Sequence, residues 1–201
     1  TKLIGRHRSA LGSRLGVSTA AGAFARERGL ASKPATVRLR FVPVVLQAPS
    51  GLSEAVLRTE ELGSLDVYPR RALIVENEIT YLSVPVPQGC VVLWGKGYDA
   101  DQPASLQWLS DADVVYWGDI DTHGFAILNR VRSHLPHVRS VMMDRDTLLA
   151  HSERWGTEMT PTNAVLDRLT KVESTIYEDL VTGRYGSQVR LEQERIDWAW
   201  V

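Results

Sequence analysis

The chain has 201 residues, of which 44% are hydrophobic and 23% are charged, and its formal net charge is −1. This length and composition predict one globular domain with a short appendage and argue against a mainly disordered protein. The sequence contains neither an apolar run long enough to span a membrane nor an export signal. The single cysteine, Cys90, excludes an internal disulfide and a cysteine-based zinc site and favours a reducing cytoplasm. The first residue is Thr1 rather than Met, from which we expect a processed or truncated chain.

Charge is distributed unevenly along the chain. Residues 1–40 contain nine Lys and Arg side chains and one acidic residue, Glu27, whereas the remaining 161 residues contain 14 basic and 23 acidic ones. The net charge is therefore +8 for the first segment and −9 for the rest. A basic arm on an acidic body is typical of an enzyme that holds a polyanion such as nucleic acid while its carboxylates bind metal. A solvated helix face that folds back onto the acidic body accounts for the same pattern.

The first third of the chain gives weak structural signals. In chain order they predict a basic amphipathic helix over residues 2–16, a short helix over 18–28, a strand over 37–45 and a short helix over 54–62. The first two helices are predicted to end at Gly16 and Gly29, because glycine commonly follows the last helical turn. A domain boundary is predicted after residue 65, so that residues 1–65 form a basic N-terminal α/β segment.

From residue 71 onward, short apolar runs alternate with helical patterns. The runs predict strands over residues 72–75, 91–94, 114–117 and 138–143, and the intervening segments predict helices over 78–82, 104–109 and 122–134. Apolar strands that alternate with helices are typical of a parallel sheet covered on both faces. The tail predicts further helices over residues 145–151, 163–169, 172–182 and 188–198. The predicted fold class is therefore α/β, a Rossmann-like, mostly parallel sheet flanked by helices, with helical C-terminal additions.

Acidic residues directly follow two of these strands. Glu76 follows the first strand, and Asp119 and Asp121 follow the third. Ligands of open parallel sheets bind at the carboxyl ends of the strands, so these side chains are expected to meet at one edge. Crowded carboxylates repel one another unless a cation neutralises them, and oxygen ligands favour Mg²⁺ or Mn²⁺ over zinc or copper. The pattern predicts a three-carboxylate metal site, although acids at a strand–helix junction also cap helices.

Other polar residues near the same edge have both a functional and a structural interpretation. Lys96, which lies between two glycines, would bind a phosphate or form a surface salt bridge. His123 would contact DNA, donate a proton or pack at a helix N-terminus. Asp144 would add a carboxylate to the site or cap the following helix. The alternating Glu and Arg side chains of residues 190–195 favour a solvated, salt-bridged helix face over a contribution to the site.

Two similar motifs are disfavoured. Residues 95–100 match the G-x-G-x-x-A dinucleotide fingerprint, but the match falls on the second strand and no long helix begins at Gly97. The Asp119 pair resembles the nucleophile motif of phosphoryl-aspartate hydrolases, but His123 stands where that motif has Thr or Val. Gly118 and Gly124, on either side of the acidic pair, permit a tight turn and a close approach of the backbone.

The strand-end motifs together resemble the Toprim domain. They are Glu76 after the first strand, residues 95–98 after the second and residues 118–124 after the third. The most similar Toprim subtype is that of the type IIB topoisomerase A subunits and their meiotic relatives. Residues 75–81, 116–130, 143–155 and 190–201 resemble more closely the C-terminal region of the JetD family, the nuclease subunits of bacterial Wadjet plasmid-defence systems. This resemblance covers residues 66–201, and residues 1–45 are similar to the end of the preceding DNA-binding region.

The resemblance implies a Toprim-like catalytic domain over residues 66–201. The implied activity is Mg²⁺- or Mn²⁺-dependent cleavage of double-stranded plasmid DNA, together with an SMC-type motor complex formed by other Wadjet subunits. Carried over residue by residue, Glu76, Asp119 and Asp121 are the catalytic, metal-binding acids, and a second role of Glu76 as general acid or base stays open. Analogy with the topoisomerase subunits implies a homodimer, whose two sites would cut opposite strands.

Two other functions stay open at this point. A non-catalytic subunit would bind DNA or partner proteins without cleaving DNA. Topoisomerase-like strand cleavage would need a tyrosine nucleophile on a preceding winged-helix domain, for which the sequence has no assignable counterpart.

Overall fold

A computed structural model describes residues 6–20, 23–24, 27–29, 34–96 and 100–200. The chain divides into two compact units, Thr1–Ala35 and Thr36–Val201. In the first unit, helix α1 (Arg8–Leu15) ends as predicted at Gly16, whose φ of +65° suits a residue without a Cβ atom. The predicted start of this helix at residue 2 lies outside the described residues, as does part of the predicted helix over 18–28.

The second unit contains a large sheet, a small sheet and several helices. Its strands are β1 (Thr36–Phe41), β2 (Glu54–Arg58), β3 (Arg71–Val75), β4 (Cys90–Trp94), β5 (Asp113–Trp117), β6 (Arg139–Ser140), β7 (Gly156–Thr157) and β8 (Val189–Arg190). Its helices are α2 (Thr59–Gly63), α3 (Glu78–Ser83), α4 (Asp101–Ala104), α5 (Thr122–His134), α6 (Arg145–Ala150) and α7 (Lys171–Val181). Strands β1 and β2 precede the predicted boundary after residue 65, and they join the large sheet because β2 pairs with β1 and β1 pairs with β4. As a division between a DNA-binding and a catalytic part, that boundary stays a prediction.

The large sheet has the strand order β2-β1-β4-β3-β5-β6. Strands β4, β3, β5 and β6 run parallel, and β1 pairs antiparallel with both β2 and β4. This mostly parallel sheet with flanking helices confirms the predicted fold class and is consistent with a Toprim-like fold. Strand β4 lies on one side of β3 and strand β5 on the other, so the chain changes its direction of travel across the sheet after β4. Such a switch point opens a crevice at the carboxyl ends of β3 and β5.

The three central strands β3, β4 and β5 contain the predicted apolar runs because the core lies on their faces. One face is fully buried, and its side chains are Ala72, Ile74, Val91, Leu93, Val114 and Tyr116. On the other face, Tyr81 packs on Trp94 and Trp198 packs on Trp117, with ring centroids 6.3 and 6.2 Å apart. Among the residues that the structure describes, no helix combines the length and the apolar character needed to cross a membrane.

The helix predicted over residues 54–62 is wrong for its first half. These residues begin with strand β2, which pairs with β1 and places Leu57 opposite Val37 and Ala55 opposite Leu39. Helix α2 begins only at Thr59. A short alternating segment therefore takes its structure from its partner strand rather than from its own helical propensity.

Two helices predicted in the tail are also wrong. Residues 163–169 are irregular, since side chains satisfy their backbone: Asn129 Oδ1 accepts from the Arg168 N–H and Tyr177 Oη donates to the Ala164 carbonyl, both at 2.7 Å. Residues 188–198 form strand β8 and then an irregular segment with one 3₁₀ turn over Gln193–Arg195. The strand predicted over 138–143 shortens to β6, and the helix predicted over 104–109 is replaced by the end of α4 and a 3₁₀ turn.

A buried ion pair joins helices α5 and α7. The side chains of Arg132 and Glu173 are each 6% exposed, and two hydrogen bonds connect them, Nη1 to Oε2 at 2.5 Å and Nη2 to Oε1 at 2.9 Å. Burial alone would raise the pKa of Glu173, but hydrogen bonds from Arg132, from the Ser140 hydroxyl and from the Thr170 N–H lower it to about 2. The ionised carboxylate therefore stabilises the folded state.

This pair predicts an acid-labile contribution to stability. Because the folded pKa of Glu173 lies below its ordinary value of 4.5, its contribution is complete above that pH and is lost as the pH falls towards 2. In urea unfolding at neutral pH, we expect Glu173→Gln to lower the free energy of unfolding by about 3 kcal/mol. The difference from the unsubstituted protein should shrink steadily below the ordinary pKa. Glu178→Gln, at an exposed glutamate of the same helix, is the control, and a pH-independent difference for Glu173→Gln would contradict the prediction.

Candidate metal and catalytic site

The structure brings Glu76 and Asp119 together at the switch point. Glu76 follows β3, and its backbone N–H donates to the carbonyl of Trp117 at the end of β5 (3.1 Å). Its carboxylate Oε2 accepts hydrogen bonds from the Tyr116 hydroxyl (3.2 Å) and from the Asp119 N–H (3.4 Å). The two loops that leave the neighbouring strands therefore converge in the crevice.

Asp119 and Asp121 are buried, with 5% and 3% of their surface exposed. One oxygen of each accepts a backbone hydrogen bond: Asp119 Oδ1 from the Gln193 N–H at 2.8 Å, and Asp121 Oδ1 from the Gly124 N–H at 2.6 Å. The second bond makes Asp121 the N-cap of helix α5. The capping interpretation of the acidic pair thus holds for Asp121, and its second oxygen points to a further partner.

That partner is Arg190, which belongs to the segment for which a solvated helix face was favoured over a contribution to the site. Its Nη2 lies 2.5 Å from Asp119 Oδ2 and its Nε lies 3.1 Å from Asp121 Oδ2. The prediction of a solvated helix face over residues 190–195 is wrong, because Ile120 and Leu191 exchange antiparallel backbone hydrogen bonds of 2.9 and 3.1 Å. This bridge positions Arg190 next to the two aspartates. The sequence signal was the alternation of apolar Val189 and Leu191 around Arg190, which is typical of a short strand.

The segment after Arg190 also reaches the loop that follows β3. Gln193 Oε1 accepts from the Asn77 N–H at 2.9 Å, and Glu194 Oε2 accepts from Asn77 Nδ2 at 2.6 Å. Residues 190–194, which we call the clasp segment, therefore hydrogen bond to both acidic loops. Three distant parts of the chain build the site.

Negative charge dominates the crevice. Burial, together with the charges of Asp119 and Asp121, raises the pKa of Glu76 to about 8. Burial also raises the pKa of Asp121 to about 6; the Gly124 hydrogen bond opposes this rise, and the Asp119 and Glu158 charges add to it. Burial alone would lower the pKa of Arg190, but the two aspartates raise it above its ordinary value. One arginine thus faces more carboxylates than it can neutralise.

These residues fit a hard divalent cation by chemistry and by charge. Carboxylate oxygens are the ligands that Mg²⁺ and Mn²⁺ prefer, and the surplus negative charge would be neutralised by such an ion. Within the described ranges, no group of three His, Cys, Asp or Glu side chains is already arranged to hold a metal. The oxygens of the two aspartates instead contact the Arg190 guanidinium and the backbone N–H groups of Gln193 and Gly124.

Two glycines allow the acidic loops to approach each other, as the sequence predicted. A Cβ atom at Gly118 would lie 2.6 Å from the Tyr116 hydroxyl and 2.9 Å from Glu76 Oε2. A Cβ atom at Gly124 would collide with the backbone carbonyl of Asp119. No larger residue fits at either position without moving the acids.

A fourth carboxylate, Glu158, supports the start of helix α5 and was missed in the sequence. It is 3% exposed and accepts from the Thr122 N–H (3.1 Å), the Thr122 hydroxyl (2.7 Å) and the His123 N–H (3.2 Å). The His123 ring reaches the same loop, with Nε2 2.6 Å from the Thr160 carbonyl oxygen. This contact supports the packing interpretation of His123, and its contact with DNA stays a prediction.

The other predicted residues lie nearby with separate contacts. Lys96 is exposed at the end of β4, has a φ of +46° and places Nζ 5.8 Å from the centre of the Trp94 ring. Its contact with a phosphate stays a prediction, and residues 97–99 of its motif lie outside the described residues. Asp144 caps helix α6, because its Oδ1 accepts from the Thr147 N–H at 2.7 Å, which confirms the capping interpretation.

Comparison with known families identifies the chain. Residues 29–201 match the family model described as the Wadjet protein JetD, C-terminal. A comparison with curated proteins gives no match. The matched residues include the whole large sheet, both acidic loops and the clasp segment. The chain therefore belongs to the JetD C-terminal family and is part of a subunit of a Wadjet defence system, with the other Wadjet subunits as its partners.

Proposed function

We propose that this domain is a metal-dependent DNA endonuclease and cuts plasmid DNA for its Wadjet system. The observation that carries the proposal is the convergence of Glu76 with Asp119 and Asp121 at the switch point, with more carboxylates than Arg190 neutralises. Glu76, Asp119 and Asp121 would hold Mg²⁺ or Mn²⁺. Such an ion polarises a phosphodiester and lowers the pKa of an attacking water.

The chain's own residues would position the acids and move a proton. The Tyr116 hydroxyl and the Asp119 N–H fix the Glu76 carboxylate through Oε2, and Oε1 would be the oxygen that carries a proton. A raised pKa suits Glu76 to exchange that proton near neutral pH, as a general acid or base does. The Gly124 N–H holds Asp121 through the hydrogen bond that caps α5, and the Gln193 N–H holds Asp119 from the clasp segment.

The proposed partners follow from the same assignment. Double-stranded plasmid DNA would be delivered by an SMC-type motor complex of the same Wadjet system. A homodimer would place two sites against opposite strands, since a two-fold axis matches the approximate symmetry of the duplex.

Cleavage of supercoiled plasmid by the full-length protein, assembled with its Wadjet partners, tests this function. We expect cleavage that requires Mg²⁺ or Mn²⁺ and is abolished by EDTA and by Asp119→Asn. Asp167→Asn is the matched control, because Asp167 is exposed and pairs only with the adjacent Arg168 among the ion pairs of the described residues. Metal-independent cleavage, or full cleavage by Asp119→Asn, would contradict the proposal.

A non-catalytic DNA-binding subunit is the second candidate, and the Arg190 contacts favour it, since an arginine already pairs with both aspartates. Such a subunit would bind DNA with an affinity that falls steeply with salt and would not nick it. Topoisomerase-like cleavage would instead leave protein covalently attached to DNA after denaturation. The plasmid assay separates all three outcomes.

A further inference from the structure

Arg190 and the two aspartates differ sharply in burial. The side chain of Arg190 is 35% exposed, whereas those of Asp119 and Asp121 are 7% and 5% exposed. The aspartates are therefore fixed in the protein, and the guanidinium is the group with room to move. A charged side chain that is partly in water costs less to displace than a buried carboxylate.

The backbone of Arg190 is held independently of its side chain. Residue 190 pairs with Gly156 in the small sheet, and the next residue, Leu191, forms the bridge with Ile120. The guanidinium can thus change its rotamer while the clasp segment stays docked. A side-chain motion of this kind needs no rearrangement of the sheet.

The contact between Arg190 and Asp121 is incomplete. Nε of Arg190 is buried and has no hydrogen-bond partner among the described residues, although it lies 3.1 Å from Asp121 Oδ2. Within the same part of the chain, the guanidinium donates a hydrogen bond to the Asp119 carboxylate and reaches Asp121 and Glu192 by charge alone. A permanent structural pair of arginine with a carboxylate usually satisfies both partners, often with two parallel hydrogen bonds.

We propose that Arg190 is an internal counter-ion of the metal-free site, and that a divalent metal binds the aspartates only after the guanidinium has left their Oδ2 oxygens. This inference rests on the proposed function, because it takes Asp119 and Asp121 as metal ligands. The Oδ1 oxygens of these carboxylates accept backbone hydrogen bonds from Gln193 and Gly124. Arg190 and a metal would therefore compete for the two Oδ2 oxygens. Two cations cannot share these oxygens without strong repulsion.

Competition of this kind lowers the apparent metal affinity of the protein. If the guanidinium pairs with the aspartates about nine-tenths of the time, the binding-competent fraction is about 0.1 and the apparent dissociation constant rises about tenfold. Removing Arg190 should therefore tighten metal binding. It should also destabilise the metal-free protein, because Arg190 is the cation that pairs with both buried aspartates in the described part of the chain.

The test is the affinity of the full-length protein for Mn²⁺, measured by calorimetry, together with the melting temperature without metal. We expect Arg190→Gln to bind Mn²⁺ about tenfold more tightly and to melt at a lower temperature than the unsubstituted protein. Arg195→Gln is the matched control, since Arg195 follows the same segment but pairs with Glu192 at 2.8 Å. It should leave the Mn²⁺ affinity unchanged.

Equal or weaker Mn²⁺ binding by folded Arg190→Gln would overturn the counter-ion role. If that variant does not fold, Arg190→Lys replaces it, and its shorter, single-point charge should give an intermediate gain in affinity; no gain would overturn the role. Asp119→Asn tests the proposed function separately. If Asp119→Asn binds Mn²⁺ as tightly as the unsubstituted protein, the proposed metal site is wrong. If Asp119→Asn loses Mn²⁺ binding but Arg190→Gln gains no affinity, only the inference about Arg190 is overturned.

Discussion

Glu76→Gln is expected to abolish metal-supported DNA cleavage and, at the same time, to raise the melting temperature of the metal-free protein. The amide cannot carry the charge that a divalent cation needs, and losing about 4 kcal/mol of metal-derived transition-state stabilisation lowers the rate about a thousandfold. The thermal stability of the metal-free protein is expected to rise instead. Because burial and neighbouring charges raise the folded pKa of Glu76 to about 8, folding at neutral pH requires this group to take up a proton. Glutamine removes that requirement.

Plasmid cleavage and thermal unfolding of the same preparations check this prediction. Glu78→Gln is the control, because Glu78 is an exposed residue two positions further on that forms a surface ion pair with Arg38. It should retain cleavage and change the melting temperature little. A Glu76→Gln variant that melts below the unsubstituted protein would show that the ionised carboxylate stabilises the fold, against the prediction.

Gly124→Ala is expected to destabilise the protein and to remove its Mn²⁺ binding. The added Cβ would collide with the Asp119 carbonyl, which belongs to a loop that Ile120 and Leu191 hold through two backbone hydrogen bonds. Backbone that is fixed in this way cannot move aside as a flexible side chain would. We expect the free energy of unfolding to fall by about 3 kcal/mol or more, at the upper end of the usual cost of overpacking.

Urea unfolding and Mn²⁺ calorimetry measure the two effects of Gly124→Ala. Gly63→Ala is a suitable control, since within the described part of the chain a Cβ atom there meets Leu106 Cδ2 alone, at an ordinary 3.9 Å. That control should be neutral or stabilising by up to about 1 kcal/mol, because alanine restricts the unfolded chain. Wild-type stability in Gly124→Ala would mean that the two acidic loops are not locked together as the structure indicates.

The central part of the fold could be predicted from sequence because its signals are local. Strands β3, β4 and β5 are continuous apolar runs, and each begins one residue earlier than predicted and ends where predicted. Helix α5 has the predicted bounds, because its apolar residues repeat at helical spacing and face the core. A parallel strand that is buried on both faces needs apolar side chains at almost every position, so a short continuous apolar run indicates such a strand.

The segments that the sequence misassigned take their structure from distant partners. Strand β2 exists because β1 lies beside it, and residues 163–169 are irregular because Asn129 and Tyr177 satisfy their backbone. The charge pattern of residues 190–195 favours a solvated helix. The bridge between Leu191 and Ile120, which the sequence does not reveal, brings Arg190 to the aspartates. No local sequence pattern indicates the role of Glu158 either, since the residues that donate hydrogen bonds to its carboxylate lie 35 and 36 positions away in the chain.

The clasp segment also has a consequence for how the protein is made. The hydrogen bonds of Gln193 span 74 positions to Asp119 and 116 positions to Asn77. Contacts between residues so far apart in the chain form late in folding, after the local ones. During translation, the acidic loops must therefore emerge from the ribosome without their clasp, and the crevice is completed only when residue 193 has left the exit tunnel.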